Sequence, residues 1–217
     1  MKRAPNFNAL ARAYRWMEAF TFGPLLNRCR NQFLDAMRFS RTALSYGDGD
    51  GRFTARLLQE NVAVLIDACD LSRAMLLQLM RRVGIYSGRV RIHQVDARLW
   101  DPPSAPYDLI VTHFFLDCLS TKEVASLAQR LRTRVTPGAR WVISDFATPN
   151  TVFGWLIARP VVTALYIAFS LLTGLGRLTL PDHHKALTEA GFRLDQQRTR
   201  LCGLLVSELW TLAQTSE

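Results

Sequence analysis

The chain has 217 residues, 49% of them apolar and 21% charged, a balance that fits one globular domain with a full core and excludes a disordered chain. Its formal charge of +9 suits an acidic partner, meaning nucleic acid, an anionic membrane face or a charged substrate. Four scattered cysteines (Cys29, Cys69, Cys118, Cys202) make no C-x-x-C pair, so the sequence offers no metal spacing and suits a reducing compartment. Between Met1 and Arg41 stand eight basic residues and only two acidic ones, Glu18 and Asp35. This excess reads first as a solvated helix face and second as a binding patch. The opening residues reach Arg12 and Arg15 before any apolar run develops, so no secretory signal is expected and the cytoplasm is the expected location.

In chain order, Phe7, Leu10, Tyr14 and Met17 recur at helical spacing and predict an amphipathic helix. A second helix is expected from Leu25 to Phe39. The period then changes. Short apolar runs at Ala43–Tyr46, Val62–Ile66, Val90–Val95, Leu109–Thr112 and Trp141–Ser144 read as five strands, the last following a Pro137-Gly138 turn. Helical patterns fill most of the gaps, the clearest placing Val124, Leu127, Ala128, Leu131 and Val135 on one face. Strands alternating with helices predict a doubly wound, mostly parallel α/β sheet with both faces covered. Gly191–Leu194 and Leu204–Leu212 read as a terminal hairpin whose last strand runs antiparallel to the rest.

The first strand runs into Ser45-Tyr46-Gly47-Asp48-Gly49-Asp50-Gly51. Glycines at alternate positions allow a sharp turn and close approach of a ligand. A dinucleotide fingerprint would need glycine where Arg52 stands, and a pyrophosphate would meet two like charges at Asp48 and Asp50. A ligand bearing an ammonium and a sulfonium is attracted instead, and S-adenosylmethionine is such a ligand. Asp70, 19 residues past Gly51, is placed to accept both ribose hydroxyls, with Asp67 as its rival. Asp96 stands where it can reach an adenine amino group, with Leu71 packed on the ring. Singly, these are common turn and cap features. Their order across three successive strands is what points to one site.

With those residues in place, the sequence resembles class I S-adenosylmethionine-dependent methyltransferases, and most of all the branch with quinone-biosynthesis C-methyltransferases. The matching stretches are Ser45–Gly51, Asp70–Leu76, Asp96-Ala97, Tyr107–Val111, Arg134–Arg140 and Ala190–Phe192. The resemblance implies a seven-stranded Rossmann-like fold and binding of S-adenosylmethionine, with S-adenosylhomocysteine as product. Tyr46, Gly47, Asp48, Gly49, Gly51, Asp70, Leu71, Asp96, Ala97 and His113 are the cofactor-site residues it implies. The family usually has an acid where Ser45 stands, which helps orient the methionine ammonium, and Asp48 is the carboxylate available to compensate. The expected partition is one domain over 1–217: a helical cap at 1–41, a cofactor-binding core at 42–150, an apolar lid insertion at 151–188 and the hairpin at 189–217.

From Pro160 to Gly176 no residue is charged, yet strands on both sides must join one sheet, so a buried or lid helix is expected rather than a bilayer span. Tyr14, Trp155, Tyr166 and Phe169 are the candidate walls of an apolar acceptor pocket. Such a pocket could open onto a membrane surface, where basic N-terminal helices meet anionic lipid. His113 after the fourth strand is the candidate base, with Asp117 orienting it or capping the next helix, and His183 reaching in from the lid beside His184. The Asn/Asp-Pro-Pro-Tyr motif of amino-group methylation is absent after the fourth strand.

Three functional readings follow. The leading one is methyl transfer to oxygen or carbon of a small, largely apolar acceptor. A nucleic-acid methyltransferase using the basic N-terminus is disfavoured against it. The third is a non-catalytic cofactor-binding or partner-binding domain, motivated by Ser45. The sequence leaves the oligomeric state open.

Overall fold

The computed structural model describes residues 23–103, 106–149, 160 and 180–213. Strands β1 (Thr42–Tyr46), β2 (Leu65–Asp70), β3 (Val90–Gln94), β4 (Tyr107–His113), β5 (Val135–Phe146), β6 (Phe192–Arg200) and β7 (Leu205–Leu212) form one sheet in the order β3-β2-β1-β4-β5-β7-β6. β1 to β5 are mutually parallel, and β7 runs antiparallel between β5 and β6. The sheet is therefore mostly parallel, as its strand–helix alternation predicts, and the final strand is the antiparallel one.

Helices α1 (Gly23–Arg30), α2 (Arg52–Glu60), α3 (Arg73–Val83), α4 (Thr121–Arg132) and α5 (His183–Glu189) cover both faces. Alternation along the strands sorts their side chains between two cores. Leu44, Tyr46, Ile110, Trp141 and Trp210 pack beneath α4 and α5 with Val124, Leu127, Leu131 and Leu187. Ala43, Ile66, Leu109, Val111 and Val142 pack on the opposite face with Phe53, Leu57 and Leu58 of α2 and Leu79 and Val83 of α3. α1 lies against the hairpin side, Leu26 and Cys29 packing on Leu205.

Three local expectations are corrected. The second strand starts at Leu65 rather than Val62, which is 85% exposed. Asn61 is the reason: its side-chain amide donates to the carbonyls of Met37 and Ser40 and its Oδ1 accepts from the N–H groups of Ala63 and Val64. Those bonds hold 61–64 in a turn, and sheet pairing begins only after it. The helix expected over 25–39 stops at Arg30 and is followed by a short 3-10 turn, Leu34–Met37. Its two halves serve different cores, Leu26 and Cys29 facing β7 while Phe33 and Met37 enter the α2–α3 side. Val135 belongs to β5, not to the helix before it, and Pro137-Gly138 lies inside that strand, where its register against β4 shifts between Tyr107 and Leu109.

Candidate cofactor and acceptor site

The carboxyl end of β1 turns through Gly47, Gly49 and Gly51, all at positive φ (65°, 62° and 78°), into α2. A Cβ on Gly51 would lie 2.7 Å from the Leu79 backbone, and one on Gly47 would lie 2.7 Å from the Phe115 ring. Both positions need glycine for packing as well as for φ. Gly49 differs, because a Cβ there would meet nothing nearer than the Met75 sulfur at 4.0 Å. The middle of the loop therefore faces space, as a ligand cradle requires.

The two loop acids do different work. Asp50 is paired outward, to Arg52 at 3.1 Å and to Arg82 of α3 at 2.8 Å, which pins the loop to the next helix. Asp48 turns inward, where its Oδ2 accepts the Thr54 N–H at 2.9 Å and its Oδ1 is buried with no hydrogen-bond partner among the described residues. Burial pushes the Asp48 carboxyl up to about 6, against the lowering effect of the Thr54 N–H bond.

Asp70 ends β2 beside this loop. Its Oδ1 accepts the Ser72 N–H at 2.7 Å, and the Gly49 N–H also bonds to it. Burial raises its carboxyl to about 6, with the nearby Asp48 charge adding to the rise. Leu71 is half-buried next to it. The rival Asp67 faces the opposite side of the sheet, taken up by Arg91 at 2.6 Å, His93 at 2.7 Å and the Tyr107 hydroxyl at 2.9 Å. Asp96 and Ala97 follow β3 at the same edge, but Arg98 holds the Asp96 carboxylate through both Nε and Nη2. That pairing keeps Asp96 below the usual carboxylate range. Tyr46 is fully buried with its ring between Phe115 and Trp100, and its hydroxyl has no hydrogen-bond partner among the described residues.

His113 closes β4 on the α2 side. It is 3% exposed, its ring meets Phe53 edge-on at 4.3 Å, and neither ring nitrogen has a hydrogen-bond partner among the described residues. Burial, and secondarily the charge of Arg30, hold its pKa well below 6.5. Ser45 Oγ on β1 and Thr54 Oγ1 on α2 are likewise buried and unpartnered among the described residues. Sequence reasoning missed Arg30, which sat among the basic residues read as a solvated face. It is 6% exposed, lies 5.1 Å over the Phe114 ring, and its charge acts on both Asp48 and His113. Only the docking of α1 distinguishes it from exposed Arg28.

Asp117 neither orients His113 nor caps the next helix. Ser120 caps α4, in a reciprocal box with Glu123. Asp117 instead meets Asp145 of β5, its N–H donating to Asp145 Oδ2 at 3.1 Å and the two carboxyls hydrogen-bonding each other. Burial and then the Asp117 charge push the Asp145 carboxyl well above the usual range. His183 and His184 bind Glu208 of β7. Tyr14, Trp155, Tyr166 and Phe169 lie outside the described residues, as does almost all of the uncharged segment. Among the described residues no helix is long and apolar enough to cross a membrane.

The lining fits S-adenosylmethionine. Carboxylates of Asp48 and Asp70 suit its cationic and hydroxyl groups, the open Gly49 turn admits it closely, and buried polar atoms stand there without partners. This sheet order, with a glycine turn after β1 and an acid ending β2, defines the class I methyltransferase fold. Residues 43–138 match the family model described as a methyltransferase domain.

Among particular relatives, a malonyl-[acyl-carrier protein] O-methyltransferase of a Paenibacillus species is 31% identical over 157 residues, covering 69% of this chain and 54% of its own length. The chain thus spans about half the length of the curated relative it matches. An O-methyltransferase family protein from Burkholderia thailandensis superposes with a TM-score of 0.73 at 15% identity, covering 100% of this chain and 66% of the other. The N-methyltransferase NodS from Bradyrhizobium japonicum, in complex with S-adenosyl-L-homocysteine, gives 0.64 at 14% identity, covering 94% and 98%. Neighbours that methylate oxygen and nitrogen share the fold, so the fold leaves the acceptor atom open.

Proposed function

We propose that the chain is an S-adenosylmethionine-dependent methyltransferase acting at oxygen or carbon of a small, largely apolar acceptor. The set of polar atoms between β1, α2 and β4 that are buried without a partner among the described residues carries this reading: each is a cost that a bound ligand would remove. Asp70 and the Gly47–Gly51 turn would hold the ribose and methionine parts, with Asp48 as the counter-charge that Ser45 does not supply. When bound, the cofactor supplies an electrophilic methyl group that an acceptor lone pair displaces in line, so positioning provides most of the catalysis.

The chain's own residues then do three things. His113, kept neutral by burial, offers one donor and one acceptor nitrogen beside the site. Asp117 and Asp145, hydrogen-bonded to each other with the Asp145 carboxyl raised well above its usual range by burial, are the candidate pair to exchange a proton with an acceptor that must lose one. The apolar segments around 14–22 and 151–176 would exclude water from the acceptor. Oxygen is favoured over carbon by the O-methyltransferase relative. Contact with a membrane surface through the basic N-terminus is compatible with an apolar acceptor.

Calorimetric titration with S-adenosylmethionine and S-adenosylhomocysteine, beside Asp70→Ala, tests the cofactor half. Removing two charge-assisted bonds, about 1.5–3 kcal/mol each, should weaken binding by at least about a hundredfold. No binding to the native chain at millimolar ligand overturns it. Methyl-label transfer to a panel of apolar hydroxyl, carboxyl and activated-carbon acceptors tests the other half, which fails if only polar or peptide acceptors are modified.

A further inference from the structure

Glu208 has no exposed surface, yet the chain turns four nitrogen groups onto its two oxygens. Nε2 of His183 lies 3.0 Å from Oε2 and Nε2 of His184 lies 2.7 Å from Oε1. Gln197 Nε2 donates to Oε1 and Trp210 Nε1 to Oε2, each at 2.8 Å. Two imidazoles thus present the same nitrogen to one carboxylate, their centroids 4.9 Å apart. A single divalent ion would take both imidazoles as neutral ligands and set its charge directly against Glu208.

The geometry accepts one. All three ligand atoms lie within 4.8 Å of one another. A tetrahedral site with bonds of about 2.0–2.1 Å needs ligand separations of roughly 3.3 Å, so the short N···O distances, made to the two different carboxylate oxygens, would open slightly and the widest separation would close by up to about 1.5 Å. The frame around them is built. Asp182 caps α5 through the Lys185 N–H at 3.0 Å, and its own N–H bonds Thr121 Oγ1 of α4 at 3.0 Å, which fixes the backbone carrying both histidines. Gln197 and Trp210 orient the carboxylate from outside, as outer partners do for a metal-ligating acid.

We propose that His183, His184 and Glu208 form a three-ligand site for a borderline-soft divalent cation of the zinc class, with a fourth position open to water or a substrate oxygen. Two nitrogen ligands select this class over magnesium or calcium, which take oxygen. The adjacency His183-His184 carries no metal spacing in sequence. The site exists because β7 inserts between β5 and β6 and brings Glu208 under the start of α5.

The test uses the full chain stripped with a chelator, titrated with Zn2+ by calorimetry and with Co2+ by visible absorption. It needs no methyl donor or acceptor, so its outcome is separate from that of the methyl-transfer reading. One equivalent should bind with the d–d bands of a low-coordinate nitrogen–oxygen site and no sulfur-to-cobalt charge-transfer band. His183→Ala and His184→Ala, checked for folding by their thermal transitions in chelator, should each weaken binding at least roughly a hundredfold, and Cys202→Ser should leave it unchanged. The native chain's stoichiometry and spectrum decide the matter even where a variant fails to fold. No binding at about 100 μM free metal, a sulfur-to-cobalt band, or binding undiminished in the histidine variants overturns the proposal.

Discussion

Glu208 on β7 receives donors from His183, His184, Gln197 and Trp210, whereas His113 on β4, two strands away in the same sheet, has neither ring nitrogen bonded to a described residue. Both side chains are buried, and each closes a polar cluster near the carboxyl edge. They meet desolvation in opposite ways. An unsatisfied buried group costs about 1–3 kcal/mol, and Ser45, Asp48, Thr54 and His113 together hold several such atoms. The difference fits the proposal that the β1–α2–β4 cluster receives a ligand, whereas the α5–β7 cluster is organised around the Glu208 carboxylate.

The comparison can be broken most directly at Glu208. Glu208→Ala removes the partner of two imidazoles and leaves the buried Trp210 N–H without an acceptor, so the metal-free chain should lose about 3 kcal/mol in denaturant unfolding. An unfolding midpoint close to that of the native chain would mean the cluster stabilises nothing.

The second prediction separates the two regions by pH. Asp48 and Asp70 rise from an ordinary 3.8 to about 6, so the folded chain binds more protons than the unfolded one between those values. Their contribution to the stability of the ligand-free chain therefore falls as pH rises from about 4 to 6. Affinity for a cationic ligand runs the other way. It should drop about tenfold for each pH unit below 6 per carboxylate that must be ionised, and a flat calorimetric profile from pH 7 to 5 would remove both acids from the ligand contact.

The smallest effect sharpens the contrast. His113→Leu discards two unsatisfied nitrogens at nearly constant volume, so stability should be retained or raised by up to about 1 kcal/mol while cofactor affinity or turnover falls. A clear loss of stability would show that the imidazole serves the fold.

The glycine loop, Asp70 and the strand–helix alternation were legible in the sequence because each is local chemistry. Positive φ demands glycine, a strand-end acid stands a fixed distance along the chain, and burial on both faces makes strands apolar throughout. The misread second strand shows the limit of the same reasoning. Val62 to Ile66 looks like a strand, but the Asn61 amide reaches Met37 and Ser40, more than twenty residues back, and turns 61–64 out of the sheet. Nothing in the local pattern announces that contact.

The site divides along the same line. By itself the sequence determined the fold class, the cofactor-shaped turn and the acid after it, since these depend on residues within one β-α-β unit. Only the tertiary structure decided which charges are buried. It took Arg30 out of a basic surface segment and placed it beside Asp48 and His113. It joined Asp117 to Asp145 across two strands, and set Glu208 under His183 and His184. The physical reason is that desolvation depends on everything packed around a group, and residues 18 to 83 positions apart in sequence do not reveal that packing until the chain has folded.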